Sequence, residues 1–321
     1  METETDNEHL GLVNRLYNRK RIDPSAFRRY RILSYRDFGD ESRWLGAPIL
    51  VFTERERLTL QHSAAVRFAR VAGVAVIRWR TQCSEWHQQP NPQHRETALA
   101  DPCFYEYFVE GAESTLRDDV DAEVGLSTGV HVRYHSLTLK SNRQEKTLER
   151  KIAAAAPGDV ITLPHAPKLI NVKVDSSCVP KCVRQKLSLT YPKESGQYIV
   201  PLGEVNASAH DDGVHTIVPG GNYFKPSIAL LHRCFPVVPN FVLTVKAASQ
   251  FTFNRVILAI SARQDHKATH EDLYHALSRV STRQDIRLLL RGETVADKWR
   301  SLEYVASLKP DAAPWAKPGL R

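Results

Sequence analysis

PNFVLTVKAASQFTFNRVILAIS, residues 239–261, followed by HEDLYHALSRVSTRQDIRLLL, residues 270–290, decides how this chain is read. Phe241–Val245 and Arg255–Ile260 read as strands in an α/β rhythm. Thr269 precedes the next periodic segment, with Asp272 at its third helical position, so a capped helix is predicted there. Leu273, Ala276, Leu277 and Val280 recur at three- and four-residue steps and form one apolar stripe. At roughly 100° per residue, Arg279 falls on the opposite face, near His275 and Arg283. A strand over 285–290 and a helix over 293–308 continue the α/β rhythm.

The same rhythm occurs upstream. Ala47–Phe52 (APILVF) is a continuous apolar run, as expected of a strand buried on both faces. Thr53 and Glu56 form a T-x-x-E capping box, and Leu58, Gln61, Ala65, Phe68, Ala69 and Ala72 repeat with helical period until Gly73. Val74–Trp79 (VAVIRW) reads as the next strand. Strand, helix and strand in so short a span predict a right-handed βαβ unit in one parallel sheet.

Between 120 and 235 the pattern changes. HVRYHSLTL (131–139), DVITL (159–163), INVKV (170–174) and GQYIVPL (196–202) are short segments punctuated by turn signals. Pro157-Gly158-Asp159 and Pro219-Gly220-Gly221-Asn222 are the strongest of these. The expected organisation is one α/β lobe, 46–119 with 236–308, interrupted by a β-rich, barrel-like insertion at 120–235. Residues 1–45, with helical periodicity around Leu10, Leu12, Val13 and Leu16, read as the remnant of a preceding lobe. The proline-punctuated tail at 309–321 reads as loose.

The net charge of +8 over 321 residues favours polyanionic partners, or else a solvated basic surface. Five cysteines and the polar start METETDNEH point to a reducing, intracellular setting. No apolar run approaches the ~18 residues of a membrane helix. Cys178 and Cys182 make half a zinc site, but no second pair follows, so ordinary thiols are expected and no metal. His210, Asp211 and His215 could hold a metal, although Asp-Asp-Gly is ordinary turn chemistry. Asp265 and Asp272 do not read as a catalytic pair, since Asp272 has a capping role. Trp79 at a strand end and Trp86 in polar coil are candidates for base stacking or for packing. No G-x-x-x-x-G-K-[ST] phosphate loop occurs in the sequence.

The order of these segments resembles the PIF/RecD-like branch of superfamily-1 DNA helicases, particularly the helicase ends of Helitron-type transposon proteins. RILSYRDFGDESRWLGAPILVFTERERLTLQHSAAVRFARVAGVAVIRW is similar to the start of that family's second RecA-like lobe, with its motif IV. GLSTGVHVRYHSLTL, PGDVITLP and INVKV resemble its inserted β module. The 244–252 segment has the frame of motif V, and Ala276-Leu277-Ser278-Arg279-Val280 looks like motif VI. The resemblance implies an α/β, RecA-like lobe that works with ATP and Mg²⁺ on single-stranded DNA, in a nuclear setting of DNA repair or recombination. Carried over, Arg279 would be the motif VI finger and Arg55 or Arg57 the motif IV arginine. Thr244, Lys246, Ser249, Gln250, Thr252 and Ser278 would line the nucleotide and DNA track.

Motif V departs from the family pattern Thr-x-His-Lys-x-Gln-Gly-x-Thr. Thr244 and Thr252 remain, but Lys246, Ala247, Ser249 and Gln250 stand where the histidine, lysine, glutamine and glycine belong. Gln250 is also readable as the glutamine displaced by one position. The chain starts just downstream of where motif III would fall, so a fragment of a motor is expected. On that reading it lacks autonomous ATPase activity and is completed by a first lobe or a partner protein. The alternative is a non-enzymatic module that holds single-stranded nucleic acid or a protein; a metal-dependent hydrolase using His210, Asp211 and His215 is a third reading.

Overall fold

A computed structural model of the chain describes residues 6–34, 37, 44, 46–86, 105–175, 184–206, 230–260, 268–290 and 294–308. The chain divides into two units: Met1–Gln61 with Phe241–Arg321, and His62–Asn240. The second unit is thus nested within the first, and helix Glu54–Ala72 runs through the boundary at 61.

The first unit is built on a five-stranded sheet, all parallel. Its strands, in spatial order, are Arg31–Ile32, Ile286–Leu290, Val256–Ile260, Ile49–Val51 and Val242–Thr244. Every residue of Ile49–Val51 and Val256–Ile260 is buried, as their unbroken apolar sequences require. Helix His270–Leu277 carries the predicted capping box: Thr269 Oγ1 accepts from the Asp272 amide, and the Asp272 carboxylate accepts from the Thr269 amide at 2.9 Å. Thr53 Oγ1 likewise accepts from the Glu56 amide at 3.3 Å, whereas the Glu56 carboxylate reaches the amide of Phe52.

Residues 6–34, expected to stand as the remnant of a preceding lobe, pack as part of this unit. Leu12, Leu16, Ile22, Phe27 and Tyr30 share one core with Leu273, Leu277, Val280, Ile286 and Leu288. Arg31–Ile32 supplies an edge strand of the parallel sheet. The buried stripe of helix Asn7–Tyr17 is His9, Leu12 and Leu16, and Leu10 is exposed. Fully burying each such leucine contributes about 1.5–3 kcal/mol, so this segment belongs to the lobe by energy as well as by pairing.

The second unit is β-rich. Six antiparallel strands run in the order Lys193–Glu194, Gln197–Leu202, Leu169–Asp175, His131–Thr138, Glu113–Leu116 and Val237–Pro239. A second sheet has Val76–Arg80 at its centre, antiparallel to Tyr105–Phe108 and parallel to Val160–Thr162. Gly158, at φ +85°, makes the turn into Val160–Thr162, and an added Cβ there would meet the Arg70 side chain at 2.4 Å. A third sheet pairs Leu230–Cys234 with Val205–Asn206 and with Gln82–Trp86.

The expected class, an α/β parallel-sheet lobe interrupted by a β-rich insertion, is the architecture observed, but two assignments are corrected. Val76–Arg80 does not join the parallel sheet with Ile49–Val51. Its partly exposed Arg78 and exposed Arg80 alternate with buried Ile77 and Trp79, and a strand enclosed on both faces does not accommodate two arginines. The insertion accordingly spans His62–Asn240 rather than 120–235. Trp86 lies at the end of a strand, not in coil. Among the described residues, no helix is long and apolar enough to cross a membrane.

Candidate functional site

The two motif-like segments meet within the first unit. Strand Val242–Thr244 ends at Thr244, whose Oγ1 accepts from the Ala247 amide at 3.2 Å and so opens the short 3₁₀ turn Ala247–Gln250. Ala248 anchors that turn in the core, while Lys246 and Thr252 are exposed and Ser249 is half-buried. Phe251 is buried and lies edge-to-face with Phe253. Only the backbone of Gln250 lies within the described structure.

Across from this turn, helix His270–Leu277 ends with Ser278 as its C-cap. Arg279 therefore lies just beyond the helix, near His275 as expected. Its Nε donates to the carbonyl of His275 at 2.9 Å. Nη1 donates to the carbonyls of Ser249 and of Phe251, the latter at 3.1 Å, and Nη2 donates to Ser278 Oγ at 2.8 Å. The Arg279 carbonyl accepts in turn from the Phe253 amide at 2.8 Å. Burial holds the guanidinium below its ordinary pKa, yet the partners are carbonyls and a hydroxyl, including a carbonyl at a helix C-terminus where a cation is stabilised. Chemically this is a clamp between the turn and the helix end.

The motif IV candidates are placed differently. Arg57 forms a forked ion pair with Glu54 of its own helix, with Nε to both carboxylate oxygens at 2.8 Å, and Nη1 donates to Gln61 Oε1. Arg55, two residues away, is exposed. Trp79 is core: it is buried, donates from Nε1 to Glu106 Oε2 at 3.1 Å, and packs edge-to-face on Phe235. Cys178, Cys182, His210, Asp211, His215 and Asp265 lie outside the described residues. Among the described residues, no cluster of three or more His, Cys, Asp or Glu side chains is arranged for a metal.

One polar constellation went unread in the sequence. His9 is buried, with Nδ1 2.8 Å from Tyr30 Oη and Nε2 3.3 Å from the carbonyl of Val280. Asp6 accepts from the Arg283 amide at 3.0 Å, and Glu8 bridges Arg29 and Arg283. A groove of about 280 Å³ lies along this region, with Arg15, Asp23 and Arg29 on its wall. The available signal was the His9, Leu12, Leu16 spacing, which places a histidine on an apolar stripe.

No protein-family profile matches the chain, and no curated protein does. Solved structures with partial likeness exist. The chain is 13% identical to the Pif1 helicase of Candida albicans, with a TM-score of 0.45 over 92% of this chain and 55% of that one. Against Bacteroides Pif1 bound to single-stranded DNA the identity is 13% and the TM-score 0.44, over 89% and 49%. For Bacteroides Pif1 with ADP-AlF3 and single-stranded DNA the values are 12% and 0.42, over 92% and 51%. The chain thus spans about half the length of the solved structures it matches.

Proposed function

We propose that this chain is a helicase-derived α/β lobe with a β-rich insertion that holds single-stranded nucleic acid and does not hydrolyse ATP on its own. The observation that carries this reading is the engagement of Arg279. An arginine that stabilises charge developing on a transferred phosphoryl group must direct its donors into the nucleotide site. Here four of the donors are engaged by the carbonyls of His275, Ser249 and Phe251 and by Ser278 Oγ. Arg57 is held by Glu54 and Gln61 in the same way. These residues do not fit an ATP–Mg²⁺ site, so no catalytic step is assigned to them. The substituted lysine, glutamine and glycine positions of the motif V-like turn support the same view.

Exposed Lys246 at the start of that turn remains suited to a backbone phosphate. The test is phosphate release from ATP by the purified chain, with and without single-stranded DNA, alongside anisotropy of a labelled strand at two salt concentrations. No turnover and salt-sensitive binding are expected. DNA-stimulated turnover that disappears in Arg279→Ala would overturn the proposal.

A further inference from the structure

The β-rich unit carries a second basic feature, on the sheet formed by Val76–Arg80, Tyr105–Phe108 and Val160–Thr162. Arg78 lies opposite Tyr107 and Thr162 in register, and Arg80 lies opposite Tyr105. Side chains directly opposite share a face, so Arg78, Arg80, Tyr105, Tyr107 and Thr162 stand on one side. Tyr107 is buried, close to His62 of helix Glu54–Ala72. The other end of this face is open: Arg80 and Thr162 are exposed, and Arg78 and Tyr105 are half-exposed.

At that open end the groups are arranged around one ring. The Arg78 guanidinium lies 4.5 Å from the Tyr105 ring centroid, and that of Arg80 lies 5.8 Å from it. Arg78 Nε donates to Thr162 Oγ1 at 3.0 Å and Arg80 Nε to Tyr105 Oη at 3.3 Å, which fixes both planes. Among the described residues, no carboxylate lies within ion-pair distance of either guanidinium. Their charge is uncompensated there, unlike that of Arg57, Arg283 or Arg287, each of which faces an acid.

We propose that this open sheet end is a platform for single-stranded nucleic acid, with a base stacked on the planar Arg78–Tyr105 pair and a backbone phosphate on Arg80. This rests on the nucleic-acid reading above and adds a site to it. Planar aromatic and guanidinium surfaces accept any base, and free N–H donors neutralise phosphate. An acidic peptide would satisfy the charges but would make no use of the planar stack.

The test is fluorescence anisotropy of the full chain with a labelled strand of about 12 nucleotides, within usual single-strand site sizes, and with an abasic strand of equal length. Tyr105→Leu is expected to weaken binding about five- to 150-fold, the range of one lost base stack, while Tyr105→Phe keeps it. Arg80→Gln, at an exposed side chain, is expected to lower the salt slope by about 0.7 for its one phosphate. The abasic strand should bind more weakly than the normal one. If Tyr105→Leu does not fold, the Arg80→Gln slope and the abasic comparison still decide. Equal binding of abasic and normal strands would overturn the platform. So would wild-type behaviour of Tyr105→Leu and Arg80→Gln while Lys246→Ala weakens binding, which leaves the broader nucleic-acid reading standing. Absence of any binding by the wild-type chain at low salt would remove both.

Discussion

Replacing Arg279 by alanine separates a clamp from a catalytic finger. A finger exposed to solvent can be truncated with little effect on stability, because most surface substitutions stay within about 0.5 kcal/mol. Arg279 instead joins the helix end at His275 and Ser278 to the turn carbonyls of Ser249 and Phe251. Hydrogen bonds from a charged donor are worth about 1.5–3 kcal/mol each, and a carbonyl left without a partner costs about 1–3 kcal/mol when buried. Because the side chain is half-buried and water can reach part of the site, a net loss of about 3 kcal/mol is the reasoned figure rather than the sum. That corresponds to a drop of roughly 6–12 °C in midpoint at about 2–4 °C per kcal/mol for a protein region of this size. Arg279→Lys should recover part of it through a single ammonium, and exposed Arg55→Ala should change nothing. Thermal melts supply the magnitude, and hydrogen exchange over 249–253 should show faster exchange in the alanine variant. A midpoint within about 2 °C of wild type, with unchanged exchange over that turn, would refute the clamp.

Four other outcomes are expected. Thr269→Ala removes the helix cap and should cost about 1 kcal/mol in a denaturant titration. Burial holds His9 below its ordinary pKa of 6.5, so the unfolded chain binds the extra proton; stability should fall as pH drops below that value, and His9→Gln should flatten part of the fall. Burial pushes the Glu106 carboxyl up to about 8 despite the bond from Trp79 Nε1. The folded state therefore holds the proton above the unfolded carboxyl's pKa, the associated stability declines as pH rises toward about 8, and tryptophan emission should titrate there in wild type but not in Glu106→Gln. Gly158→Ala should destabilise the β-rich unit in a melt, since it combines φ +85° with a clash against Arg70.

The parallel sheet was legible because its strands are short and mostly apolar, Ile49–Val51 and Val256–Ile260 wholly so, with a capped helix between neighbouring runs. Ile49–Val51, Val256–Ile260 and Ile286–Leu290 all fall within the predicted runs. Strand partners were less legible. VAVIRW follows a helix just as a second parallel strand would, and only Arg78, with Arg80 just beyond the run, argued against it. Residues 7–34 were misread because their apolar positions are few and widely spaced, so their burial depends on surfaces some 250 residues away that local periodicity cannot reveal. For the site residues, the sequence locates the segments but not the contacts of their side chains. ALSRV locates Arg279, while the direction of its guanidinium depends on Ser278 ending the helix and on the carbonyls of a turn thirty residues earlier.

Net charge is a poor guide to where a polyanion would lie, because arginines differ in what they already face. Arg287 is held between Asp37, at 2.9 Å, and the ring of Trp44, at 4.2 Å. Arg283 and Arg29 share Glu8, and Arg57 faces Glu54. To receive a phosphate, each would first have to surrender a partner of the same charge, so the exchange gains little. Arg279 is satisfied without an acid, but its donors are directed inward. Exposed cations without such partners, Lys246 in the α/β lobe and Arg80 in the β-rich unit, can accept a phosphate at no such cost. If the chain binds a polyanion, the contact falls to open cations such as these and is not read from the total of +8, and charge reversal at buried Arg287 should disturb folding before it disturbs any nucleic acid.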